Sequence, residues 1–133
     1  MRITKQNINQ FIYVTIMNCS NQNITHIEYI PESITYLNCS NNELTSLPKL
    51  NDNLLRLDCS NNKLTSLPTL SESLQLISCE NNKLTSIHKL PDDLIYLNCN
   101  GNNLPYPITL DNFKKHNKLI KIKEILEKIR LYH

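Results

Sequence analysis

Residues 54–70 read LLRLDCSNNKLTSLPTL, and residues 34–50 read ITYLNCSNNELTSLPKL. The same phrase returns, more worn, as VTIMNCSNQNITHIEYI at 14–30, LQLISCENNKLTSIHKL at 74–90 and LIYLNCNGNNLPYPITL at 94–110. Its anchor is a cysteine every 20 residues, at Cys19, Cys39, Cys59, Cys79 and Cys99. A fixed period of that length signals stacked repeats before any other architecture. Apolar columns run through Val14, Ile34, Leu54, Leu74 and Leu94, through Met17, Leu37, Leu57, Ile77 and Leu97, and through Ile24, Leu44, Leu64, Leu84 and Leu104. Two more pass through Ile27, Leu47, Leu67 and Ile87 and through Ile30, Leu50, Leu70, Leu90 and Leu110.

Inside a rung, Leu37-Asn38-Cys39-Ser40 alternates apolar and polar, which suits a short strand with one buried face. Rungs that each give one strand in the same direction form a parallel sheet, and the rest of each rung returns to its start. A helix on the return leg is disfavoured, because LTSLPKL holds a proline and is too short. The spacing therefore predicts an α/β solenoid: a parallel sheet of about five short strands, extended or polyproline-like return legs, and one terminal helix. The amides of Asn42, Asn62, Asn82 and Asn102 stand three residues after their cysteines, placed to bond turn backbone or one another. Gln22 takes that place in the first rung, which reads as a looser, cap-like one.

The pattern LxxLxCxxNxLxxLPxL resembles the leucine-rich-repeat family. Its period and LP return leg are similar to the short class found in secreted bacterial effectors, and cysteine-bearing, Asn-rich arrays of giant viruses look alike. The resemblance covers roughly Val14 to Leu110 and implies a scaffold whose concave sheet face binds another protein, with capping elements at both ends. The expected organisation is one domain: an amino-terminal cap segment at 1–13, five repeats at 14–110 and an amphipathic helix at 111–133. Some similar arrays precede a ubiquitin-ligase domain, so the resemblance also implies an alternative: a targeting or regulatory repeat module derived from such an effector. The 23 residues after Leu110 are too few for that domain, so this chain is expected to be inactive as an enzyme.

Composition fits a stack better than a globule. The 133 residues hold 20 Asn, no Ala, one Gly and no Trp, against the needs of a helical bundle or a glycine-rich nucleotide fold. A net charge of +2 gives no overall drive toward nucleic acid or membrane. No apolar run is long enough to span a bilayer, and the start, MRITKQNINQ, has no apolar signal core, so a cytoplasmic location is expected, in the host cytosol if the protein is viral or effector-like.

After Asp111, an expected N-cap, the period turns helical. Leu119, Ile122, Leu126 and Ile129 recur at three and four with Ile125 beside them, a stripe expected to close the last rung. From Asp111 onward seven basic residues face three acidic ones, whereas residues 1–110 carry seven basic and nine acidic. The simple reading is a solvated face of a capping helix; the alternative is a surface for acidic protein, anionic lipid or nucleic acid.

The cysteines lack CxxC or Cys/His spacing, and at inward strand positions they read as small hydrophobes filling a column, with no metal, cofactor or catalytic role. His26, His88, His116 and His133 share no face and read as surface residues. Asp92 and Asp93, like Asn51, Asp52 and Asn53, read as turn residues, and Gly101 alone makes no phosphate cradle. That leaves the outward columns of the sheet. Ile16, Tyr36, Arg56, Leu76 and Tyr96 form one, Asn18, Asn38, Asp58, Ser78 and Asn98 the next, and Ser20, Ser40, Ser60, Glu80 and Asn100 a third. Tyr and Arg are enriched in binding hot spots. The expected contact line for a host or cellular protein is therefore Tyr36, Arg56, Leu76 and Tyr96, joined by Asn38, Asp58, Glu80 and Asn98, with Glu43, Lys63 and Lys83 tuning charge. No small-molecule substrate is expected.

Overall fold

The computed structural model describes residues 1–132; His133, expected at the surface, lies outside the described residues. In chain order the elements are β1 (Arg2–Ile3), a 3-10 turn (Ile8–Phe11), β2 (Ile12–Tyr13), β3 (Ile16–Asn18), β4 (His26–Ile27), β5 (Tyr36–Asn38), β6 (Arg56–Asp58), β7 (Leu76–Ser78), β8 (Tyr96–Asn98) and α1 (Phe113–Leu131). Strands β3, β5, β6, β7 and β8 pair in parallel without a slip in register, so Met17, Leu37, Leu57, Ile77 and Leu97 are successive partners. The molecule is a solenoid of about five turns with one terminal helix, as the 20-residue period predicts.

Each strand is short because the alternation is short. The middle residue of β3, β5, β6 and β7 points inward and is buried, and the cysteine that follows is buried too. The chain then turns through a residue in the left-handed region: Asn21, Asn41, Asn61 and Asn81 have φ of 57°, 55°, 55° and 56°. Asn tolerates that conformation better than most side chains. In the fifth rung the place belongs to Gly101 at φ 69°, where a Cβ would press on the Asn81 amide. The return legs then carry Ile24, Leu44, Leu64 and Leu84, and later Ile34, Leu54 and Leu74, into the core at 0% exposure.

Both ends depart from the expected pattern. Val14 does not join the apolar column; it is 75% exposed at φ 56°. Ile12 pairs with Met17 and Tyr13 with Ile16 antiparallel, so Val14 and Thr15 form a two-residue hairpin turn that demands a positive φ. Strand β2 thus covers the first edge of the sheet. Farther round the rung, β1 pairs in parallel with β4, and Ile3 and Ile8 plug the core below it.

At the other end Leu110 is 41% exposed, and Ile108, at 4%, fills the core instead. The prolines of LPYPITL pull this leg off the course of the others, and Thr109 bridges back to Asn98. Helix α1 starts after Asn112 rather than Asp111. Asn112 accepts from the Thr109 N–H at 2.8 Å and donates to the Pro107 carbonyl at 2.9 Å.

The helix docks on a side other than the expected one. Phe113 and His116 are buried, and Asn117 and Ile120 are half-buried. Leu119, Ile122, Ile125, Leu126 and Ile129 are 45%, 51%, 47%, 58% and 50% exposed. The physical reason lies in polar docking contacts. Asn117 donates to the Leu90 carbonyl and accepts from the Leu90 N–H, both at 2.8 Å, doing for that residue what backbone of a further rung would do. His116, expected at the surface, accepts from the Tyr106 hydroxyl at Nδ1 (2.7 Å) and donates from Nε2 to the His88 carbonyl (3.0 Å). Phe113→Ala should lower stability by about 3 kcal/mol, whereas Leu126→Ala should stay within about 0.5 kcal/mol of the parent. Urea unfolding midpoints check this, and equal losses would make the exposed stripe the docking face.

Candidate functional site

The columns of the rung divide by what their polar groups already hold. Asn42 donates to the carbonyls of Cys19, Cys39 and Ser40 and accepts from the N–H groups of Gln22 and Ile24. Asn62 donates to Cys39, Cys59 and Ser60 and accepts from Leu44. Asn82 and Asn102 repeat the pattern one and two rungs on, with Leu64 and Leu84 as donors. These amides bond backbone of their own and the preceding rung, not one another. The amide-to-amide contact is one column over, where Asn81 donates to Asn61 at 2.9 Å.

The five cysteines are free and stack beneath the sheet at 5% exposure or less. Burial pushes the Cys19 thiol up to about 12 and raises Cys39 and Cys59 as well, with neighbouring negative charge adding to burial at both. Cys79 is raised by its contact with the Cys99 sulfur at 3.7 Å and by burial. The same contact lowers Cys99; the four raised thiols stay protonated at neutral pH, which disfavours nucleophilic use of them. Among the described residues no group of three His, Cys, Asp or Glu side chains is placed to hold a metal ion, and no helix is long and apolar enough to cross a membrane.

On the outer face of the sheet, the second outward column is occupied with its own turns. Asn18, Asn38 and Asp58 each accept from the backbone N–H and the hydroxyl of the serine two residues on, and Asn98 accepts from the Asn100 N–H. This draws Ser40 and Ser60 in to 6% and 5% exposure, so they are not outward groups as expected. Glu80 accepts from the Ser78 hydroxyl at 3.4 Å. Asn38, Asp58, Asn98 and Glu80 are therefore engaged within the chain.

The first outward column is different. Pairing in register sets Ile16, Tyr36, Arg56, Leu76 and Tyr96 side by side, one per strand. The Arg56 guanidinium lies over the Tyr36 ring at 4.4 Å from its centroid, a cation–π contact that holds both side chains up from the sheet. Arg56, Asp58, Leu76, Ser78 and Tyr96 line a shallow cavity of about 170 Å³. Among the described residues the hydroxyls of Tyr36 and Tyr96 and the Arg56 guanidinium have no hydrogen-bond partner. Glu43, Lys63 and Lys83 are exposed beyond the turn, along one margin of this face.

Two residues outside the expected set proved structural. Asn51, read as a turn residue, is 4% exposed and donates to the carbonyls of Pro31 (2.7 Å) and Ile34 (3.0 Å). Its column reads Pro31, Asn51, Ser71 and Pro91, which gives no repeated signal to find it by. For His116 a signal was present, since Phe113, His116 and Ile120 are themselves spaced by three and four.

No protein-family model matches the chain, and no curated protein matches it.

Proposed function

We propose that the chain is a leucine-rich-repeat module that binds a protein along the outer face of its sheet, with Tyr36, Arg56, Leu76 and Tyr96 as the contact line. One observation carries this reading: the in-register column presents two phenols and a guanidinium with unused hydrogen-bonding capacity, while the polar groups beside it are engaged in their own turns. Side chains that combine area with free donors suit hot spots. Leu76 supplies apolar area between Arg56 and Tyr96, and the single cation in the line favours a partner offering a carboxylate or carbonyl oxygen between apolar groups. Asp58, Glu80, Glu43, Lys63 and Lys83 would set the charge around it. The reading involves no cofactor and no chemical step.

The test is quantitative capture from lysate by the parent chain and by Tyr36→Ala/Arg56→Ala/Tyr96→Ala. The triple variant should lose at least about tenfold of whatever the parent enriches. Its urea midpoint should stay close to the parent's, because the three side chains stand on the surface. Undiminished capture by a folded triple variant would refute the assignment.

A further inference from the structure

Helix α1 is mounted with its apolar side outward. It meets the solenoid through Phe113, His116, Asn117 and Ile120, which share one side of a helix of 3.6 residues per turn. Leu119, Ile122, Leu126 and Ile129 fall on the opposite side, spaced three, four and three, with Ile125 next to them, and each is about half exposed. Toward the return legs the helix turns a carboxylate instead: Glu124 borders the clefts that lie between α1 and the third and fourth rungs. From Lys121 to Tyr132 every residue is exposed. The row is therefore uncovered along three turns, and nothing in the solenoid is placed to cover it.

The charges beside the row select what would cover it. If Leu119 and Leu126 are core positions of a helical seam and Ile122 and Ile129 the alternate ones, the flanking positions are Lys118 and Ile125 on one side and Lys123 and Arg130 on the other. Both acidic residues of the helix, Glu124 and Glu127, lie away from the seam. Among the described residues Arg130 alone of the helix's basic groups meets a carboxylate, Glu127 at 4.0 Å. A second copy of this chain would oppose lysine and arginine to lysine and arginine whether the helices ran parallel or antiparallel. A bilayer would prefer a broader apolar face with aromatic anchors, whereas here Lys115 and Lys118 interrupt the row at its start. We infer that α1 is a second docking surface, for a partner protein's amphipathic helix with an aliphatic seam and carboxylates on both sides of it.

This surface is independent of the sheet face, and calorimetric titration of the full chain tests it separately. The probes are two synthetic helical peptides of about four heptads, both with Leu and Ile in the seam, one with Glu and the other with Lys at the flanking positions. The Glu peptide should bind at least about tenfold more tightly than the Lys peptide, through interactions that weaken with salt. Leu126→Asp should abolish binding to both while leaving the melting temperature of the solenoid unchanged. Lys118→Glu/Lys123→Glu/Arg130→Glu should reverse the order of the two peptides, and Arg56→Ala should leave it as it is. Equal affinity for the two peptides, or none for either, overturns the inference. So does a dimer in sedimentation that Leu126→Asp dissolves, or binding to phosphatidylserine vesicles, lost in Leu126→Asp, by a chain that ignores the Glu peptide.

Discussion

Asn62→Ala is expected to remove about 3 kcal/mol or more of stability, seen as a fall in the urea midpoint with the slope of the transition unchanged. The side chain is 8% exposed and serves three carbonyls and one N–H. Alanine would leave these groups facing one another across a gap, and each buried polar group left without a partner costs about 1–3 kcal/mol. Asn62→Asp makes the reason sharper. It keeps the acceptor for Leu44 but sets an oxygen against the carbonyls of Cys39, Cys59 and Ser60, so it should be at least as damaging as alanine. A loss below about 1 kcal/mol for both variants would show that water enters and replaces the amide.

Alkaline pH should unfold the protein through its cysteines. An ordinary thiol ionises near 9.0, as it would in the unfolded chain, while burial raises Cys19, Cys39 and Cys59; the contact between Cys79 and Cys99 raises the one and lowers the other, so the effect rests on the first three. Below 9 both states keep the protons of Cys19, Cys39 and Cys59, and these thiols leave stability unchanged. Above 9 the unfolded chain releases protons that the folded one retains, so stability falls with rising pH until the folded thiols also ionise, near 12 for Cys19. Each such group removes about 1.4 kcal/mol per pH unit. Three of them at about pH 11 remove on the order of 8 kcal/mol, comparable to the whole stability of an ordinary domain. Urea midpoints measured across this range should drop steeply. Cys59→Ala, somewhat less stable at neutral pH, should drop by about a third less than the parent over the same interval. A flat midpoint up to about pH 10.5 would mean that solvent reaches the thiols in the folded state.

The middle of the solenoid was legible because its rungs meet copies of themselves. Leu37, Leu57 and Ile77 touch one another across an in-register ladder, so a column in the sequence is a column in space. The ends were not legible for the complementary reason. Val14 shares its column with Ile34 in the sequence, but no strand of the same direction precedes it, and the chain reverses there. The helix carries two rows of similar spacing, and apolarity alone favoured the one that the solenoid leaves bare. What decided its seat was Asn117 meeting the unpaired backbone of Leu90 and His116 meeting Tyr106, pairings between segments with no repeat relation. On the sheet face the residue types were readable, but not which of them were already occupied. The engagement of Asn38 and Asp58 depends on serines two residues away in a left-handed turn, a local geometry that alternation does not encode.

The Asn ladder also gives the array a direction. Asn62 completes the backbone of the rung before it, at Cys39 and Leu44, and Asn82 does the same for Cys59 and Leu64. Each of the first four rungs is thus finished by its successor, and the hairpin of β2 and β3 closes the edge that no earlier rung covers. A rung duplicated whole in the interior would find every donor and acceptor it needs already waiting, whereas a rung appended after the fifth would inherit Pro105 and Pro107 and displace Asn117. The number of rungs in such a molecule is free to vary by insertion in the middle, between the edge that β2 covers and the one on which α1 docks.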